Sequence, residues 1–141
     1  MNRLIIDNSI VLKWFYKEND SDKALELLEL IHDLNATLIL PSLAVVELVN
    51  SLKFGKKTDS LKADDVIKKF FALEPKLLSL DLESSLKLSL IVHTNNITSY
   101  DACYILAAEE LNIPIFTADY KHHKKTISKN IVWLKEWRGK L

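Results

Sequence analysis

The chain has 141 residues, the length of one ordinary domain and too short for two independent cores. With 48% hydrophobic residues, 2 Gly and 3 Pro it can bury a sizeable core, which excludes collagen-like, linker-like and disordered chains; neither Gly-x-Gly-x-x-Gly nor Gly-x-x-x-x-Gly-Lys occurs to cradle a phosphate. Formal net charge is zero, yet residues 121–141 hold seven Lys or Arg against Glu136 alone, a net +6 balanced by −6 in the first 120 residues. A broad electrostatic grip on nucleic acid is thereby excluded, whereas an acidic site beside a basic strip is not.

A lone Cys103 forms no intramolecular disulfide. The start Met1-Asn2-Arg3 leads into a three-residue apolar run, far short of a signal-peptide core, and every apolar run is interrupted well before membrane-spanning length. A cytoplasmic protein without a membrane segment is expected.

In chain order, Leu4 to Ile6 reads as a first buried strand, followed by a short helix over about Ser9 to Tyr16. Ser21 then caps a helix with Ala24, Leu27, Leu28, Ile31 and Leu34 on one side and acids facing water. Leu38 to Leu40 is a second strand, after which Pro41-Ser42 opens a helix with Val45, Leu48, Val49 and Leu52 on its apolar face, stopped near Gly55. A turn over 56–59 precedes a helix from about Ser60 to Ala72, a third strand at Leu77 to Leu80, and a helix from Asp81 to about His93. A last long helix over Ser99 to Leu111 leads to strands at Ile113 to Thr117 and Ile131 to Leu134. The apolar runs are continuous rather than alternating, as in strands covered on both faces. Strand and helix alternate with no internal repeat or long linker, so the chain reads as a single three-layer α/β domain spanning residues 1–141 with a parallel sheet.

In such a sheet helix N-termini gather at the carboxyl edge of the strands, where open α/β sheets bind ligands. Asp7 follows the first strand and Asp119 the fourth; Glu47 lies in the second turn of the helix after the second strand, and Asp101 in the first turn of the helix feeding the fourth. Glu47 and Asp101 stand in nearly uncharged helical stretches with no Lys or Arg within a turn. Clustered carboxylates raise one another's pKa, and a divalent cation reverses this. Oxygen-only ligands suit Mg²⁺ or Mn²⁺, and the His and Cys residues show no zinc spacing.

Each acid also has a plain structural reading. Asp7 and Asp119 could cap the helices that follow them, Thr98 to Asp101 could be a variant capping box, and Glu47 could be a satisfied but idle buried acid. Asp81 heads a helix with no partner acid and reads as a cap.

The segments Leu4 to Phe15, Pro41 to Asn50, Ser99 to Tyr104 and Phe116 to Asp119 resemble the four acidic motifs of the PIN-domain nucleases, and most of all the VapC ribonuclease toxins of VapBC toxin–antitoxin pairs. The resemblance spans essentially the whole chain, with Asn8 and Cys103 as departures outside the acid set. It implies a five-stranded parallel sheet of order 3-2-1-4-5 and a Mg²⁺- or Mn²⁺-dependent endoribonuclease. It also implies a homodimer, neutralised by an antitoxin whose tail occupies the active-site groove. Thr117 matches the family's hydroxyl position, where it could order a water; it could equally be an ordinary strand threonine.

The matching chemistry is metal-assisted hydrolysis of an RNA phosphodiester, leaving 5′-phosphate and 3′-hydroxyl ends, with one cation or two about 3.5–4 Å apart. On that scheme Asp7 and Asp101 are direct ligands, Glu47 a ligand or water orienter, and Asp119 a second-site or outer ligand. Lys13 and the strip Lys121-His122-His123-Lys124-Lys125 could hold phosphates, or the strip could be a solvated face; surface solubility is the simpler account of the paired histidines. His32 and His93 get no role, and Trp14, Phe15 and Tyr16 read as packing against the sheet. Three rival functions keep a related fold: a nuclease of RNA maturation or decay, an inactive PIN-like module that binds a partner or RNA, against which the presence of all four acids argues, and a Mg²⁺-binding phosphoacceptor domain with Asp81 as acceptor. The last lacks paired acids around the first strand and a strand ending in Lys.

Overall fold

A computed structural model describes residues 2–141; of the N-terminal segment read above, Met1 lies outside the described residues. The strands are β1 (Arg3–Ile6), β2 (Thr37–Pro41), β3 (Lys76–Leu78), β4 (Ile115–Thr117) and β5 (Ile131–Trp133). The helices are α1 (Asn8–Phe15), α2 (Ser21–Asp33), α3 (Leu43–Asn50), α4 (Ser60–Phe71), α5 (Leu82–Asn95) and α6 (Ser99–Leu111). All strand pairings are parallel and the order is β3-β2-β1-β4-β5, a five-stranded three-layer α/β/α arrangement as the resemblance implied.

The central strand β1 is held by Arg3 and Leu4 against Thr37 and Leu38 on one side and by Ile5 and Ile6 against Ile115 and Phe116 on the other. Leu4, Ile5, Ile6, Leu38, Leu40, Ile115 and Phe116 are buried, as continuous apolar strands between two helix layers must be. On one face α6 lies against β1, β2 and β4 with α5 outside it. Ala102 to Ala108 are consequently buried at every position, and a helix without a polar side is one enclosed by protein.

The structure corrects several local expectations. The third strand is Lys76–Leu78 rather than Leu77 to Leu80, and all three of its residues are exposed because it forms the sheet's edge. Helix α5 buries none of its residues, and Leu82, Leu86 and Leu90 form a stripe at four-residue spacing that is 77%, 64% and 68% exposed. Leu34 ends α2 facing water, and Val49 on α3 is exposed, whereas Leu48 and Leu52 enter the core as the pattern requires. After Asn50 the chain continues to Gly55 as one π-helical turn. Ser21 is the first residue of α2 rather than its cap: its hydroxyl accepts from the Glu18 N–H (2.8 Å) and donates to the Tyr16 carbonyl (3.2 Å), fastening the α1–α2 loop. Asp81 does cap α5, in a reciprocal box with Ser84.

Candidate active site

Asp7 leaves the carboxyl end of β1 at the N-cap position of α1, but its side chain makes no capping bond. Its Oδ2 instead accepts from the Ser9 hydroxyl (2.9 Å) and from the Thr117 hydroxyl at the end of β4 (2.8 Å). Thr117, 0% exposed, also accepts from the Asp119 backbone N–H (3.0 Å), and Ser9 accepts from the Ala118 N–H (3.0 Å). Two hydroxyls thus lock the first and fourth strand ends around one carboxylate, whose Oδ1 has no hydrogen-bond partner among the described residues. Sequence reasoning had no place for Ser9, although its position two residues after Asp7 was the available signal.

Glu47 projects from α3, and its Oε1 accepts from the Tyr104 hydroxyl on α6 (2.8 Å). Tyr104 lies three residues beyond Asp101, on the same side of the helix. Asp101 is engaged twice: its Oδ2 accepts from Thr98, whose hydroxyl in turn receives the Asp101 N–H, while Oδ1 lies 3.7 Å from His123 Nε2. The capping reading and the inward-facing reading of Asp101 therefore use different oxygens.

His123 is the main correction to the sequence reading. Only 1% exposed, it is no solubility residue; it sits with Nε2 3.6 Å from Asp7 Oδ2 and 3.7 Å from Asp101 Oδ1, its ring edge-on to Tyr104. Its Nδ1 is buried without a hydrogen-bond partner among the described residues. Adjacent His122 turns the other way and binds the Asp119 carboxylate (2.9 Å). Asp119 thereby faces outward, capping the 120–123 turn through the His122 N–H (3.2 Å). Lys13 is not available either, since its Nζ is held by Glu18 (3.3 Å) and the Asn19 carbonyl (2.6 Å).

The three acids Asp7, Glu47 and Asp101 share an electrostatic environment. Burial pushes the Glu47 carboxyl above its usual range, and the charges of Asp7 and Asp101 add to the push against the Tyr104 hydrogen bond. Among the described residues no Lys or Arg pairs with any of the three, and His123 is the basic group beside them. Their all-oxygen donor set matches a hard divalent cation in chemistry and charge. It does not match in distance, since no three His, Cys, Asp or Glu side chains among the described residues stand close enough to hold an ion as placed.

A raised folded-state carboxyl pKa has a definite sign. The unfolded chain ionises Glu47 near the ordinary carboxyl value of 4.5, whereas the folded chain resists ionisation, so stability is lost as pH climbs from there through the folded pKa. Glu47→Gln keeps an oxygen for Tyr104 and removes the charge. In thermal melts without divalent cations it is expected to raise the midpoint at pH 7 and to converge on wild type below pH 4. A lowered midpoint at pH 7 would contradict the repulsion.

Known proteins sharpen the picture. A family model described as "PIN domain" matches residues 4–127. No curated protein sequence matches the chain. Among solved structures it is similar to VapBC2 from Rickettsia felis bound to a promoter DNA fragment, with a TM-score of 0.67 at 17% identity over 93% of this chain and 96% of that one. It is also similar to a toxin–antitoxin complex from Klebsiella pneumoniae, with a TM-score of 0.63 at 12% identity over 92% and 95%. A third similar structure is a protein of Pyrobaculum aerophilum, with a TM-score of 0.67 at 18% identity over 95% and 92%. At these identities the likeness is one of fold.

Proposed function

The chain belongs to the PIN domain family, and from that premise together with its acid cluster we propose that it is a Mg²⁺- or Mn²⁺-dependent endoribonuclease acting as the toxin of a toxin–antitoxin pair. The observation that carries the reading is the convergence of Asp7 after β1, Glu47 on α3 and Asp101 on α6, whose charges act on one another, with His123 as the basic group beside two of them and no Lys or Arg partner among the described residues. Such a cluster is costly without further compensating charge, which a divalent cation would supply.

Asp7 and Asp101 are the residues proposed to hold the cation, and Glu47, steadied by Tyr104, holds it or orients the attacking water. Asp119 acts from outside, because its carboxylate is engaged by His122. Thr117 fixes the Asp7 carboxylate in orientation. When bound, the cation would supply the positive charge that acidifies water and offsets charge on the phosphate. The products would be 5′-phosphate and 3′-hydroxyl ends.

The toxin assignment is supported by the likeness to the toxin–antitoxin structures above, with an antitoxin covering the acid pocket. A homodimer is part of the same proposal, supported by the uncovered leucine stripe of α5. A phosphoacceptor domain is disfavoured, because the acceptor it would need, Asp81, has its side chain bound in the box with Ser84.

The test is incubation of purified protein with RNA in Mg²⁺, Mn²⁺ or chelator, followed by analysis of the ends. Cleavage should require the cation, and undiminished cleavage in chelator would remove the mechanism. A cation at a hundred times its Kd should also stabilise the fold by about 2.7 kcal/mol, visible as a higher melting midpoint without RNA present.

A further inference from the structure

A cleft of about 690 Å³ opens beside the acids, bounded by the α5–α6 turn and by the loop that follows Asp119, with Asp101 in its wall. Its volume falls in the range of sites that enclose a small ligand. The two walls differ in chemistry. In the loop wall, His122 is paired with Asp119 and neighbouring Lys125 with Glu136, while Lys121 and Lys124 line the cleft with no carboxylate partner among the described residues. The opposite wall is polar and uncharged. Asn95 donates its Nδ2 to the Ile91 carbonyl (3.0 Å), which leaves its oxygen free to accept, and Asn96 ends α5 in the left-handed region at φ 51°.

Cations attract the sugar-phosphate backbone without regard to sequence, whereas amides discriminate base edges. A cleft with one wall of each kind, meeting at an acid of the reaction centre, suits a polyanion that also carries hydrogen-bonding faces. An acidic peptide would occupy the lysines and leave the asparagines without a role, and a duplex keeps its Watson–Crick edges paired. We propose that this cleft binds the single-stranded RNA segment flanking the cut bond, with phosphates on Lys121 and Lys124 and an unstacked base against Asn95 and Asn96. The assignment rests on the nuclease reading and adds to it where substrate lies and what selects it.

The probes are fluorescent 12-nucleotide oligomers of A, C and U, titrated into full-length Asp7→Asn protein at several salt concentrations, with circular dichroism verifying each fold. Each phosphate contact on a single strand contributes about 0.7 to the slope of log affinity against log salt. Lys121→Ala with Lys124→Ala should therefore lower that slope by about 1.4, while the control pair Lys68→Ala with Lys76→Ala, exposed on α4 and β3 and outside the cleft lining, should leave it unchanged. Asn96→Gly deletes the amide but tolerates the positive φ. It should narrow a spread of about fivefold or more between the best and worst oligomer to within twofold, with the slope preserved.

Equal slopes in the two lysine pairs, no measurable binding, or equal binding of a 12-base-pair duplex would overturn the assignment. So would binding of polyglutamate that depends on Lys121 and Lys124 when RNA binding does not. An unchanged oligomer spread in Asn96→Gly overturns base reading. Wild-type protein that cuts RNA with an unresponsive slope defeats the cleft alone, and protein that binds through the lysines yet never cuts defeats the nuclease reading alone.

Discussion

Asp7→Asn is expected to lower RNA cleavage by a factor on the order of 10³ or more while leaving the fold intact. The argument runs through the two oxygens separately. Oδ2 accepts from Ser9 and Thr117, and the amide oxygen of asparagine can take that place, so the junction between β1 and β4 survives. Oδ1 has no partner among the described residues, and there the substitution exchanges an anionic donor for an amide nitrogen that repels a cation. A metal contributes several kcal/mol to phosphoryl chemistry, and three orders of magnitude correspond to about 4 kcal/mol. Single-turnover cleavage with wild type alongside, and a melt showing a loss of Mn²⁺-induced stabilisation, test both halves. Cleavage within tenfold of wild type would refute Asp7 as a ligand.

The second large effect is expected at Thr117, through a hydroxyl that need not touch substrate. Thr117→Val is close in shape but leaves the Asp119 N–H without its acceptor and strips one of two donors from Asp7. A buried polar group left unpaired costs about 1–3 kcal/mol, and losing a partner that orients a metal ligand costs about 10–100-fold in activity or affinity. Thr117→Ser restores the hydroxyl and should recover most of both losses. Urea unfolding and cleavage rates on the three proteins decide the matter; Val activity equal to Ser would make Thr117 an ordinary strand residue.

Much of the architecture was legible because buried parallel strands are written as unbroken apolar runs. Leu4 to Ile6 and Leu38 to Leu40 were found where they fold, which put Asp7 at the carboxyl edge of the first strand; the Thr117 hydroxyl that holds it emerged only with the structure. Edges were less legible. The leucines at 77, 78 and 80 look identical in sequence to core residues, yet an edge position exposes them, and α5 repeats leucine at helical spacing without an inner neighbour to cover the stripe. Glu47 stood out as an acid in an apolar helix, and the structure gives it Tyr104 as partner. His123 escaped because adjacent histidines on a basic strip are indistinguishable by composition. A tight turn aims one at solvent and inserts the other between two carboxylates, and that turn is set by the Asp119 carbonyl receiving the His123 N–H (3.0 Å). Asp119 was legible as an edge residue, but its outward rotation toward His122 depends on the same turn.

The bond between Asp7 and Thr117 joins residues separated by 110 positions, and β1 gains its second neighbour only when Ile115 and Phe116 arrive. During synthesis, a growing polypeptide that has made residue 7, residue 47 and even residue 101 still holds an open half-sheet. Long-range parallel pairing of this kind is slow and comes late. Until Thr117 has been made, the nascent chain has no hydroxyl from the fourth strand to fix the Asp7 carboxylate, so assembly of the proposed site waits on the arrival of β4.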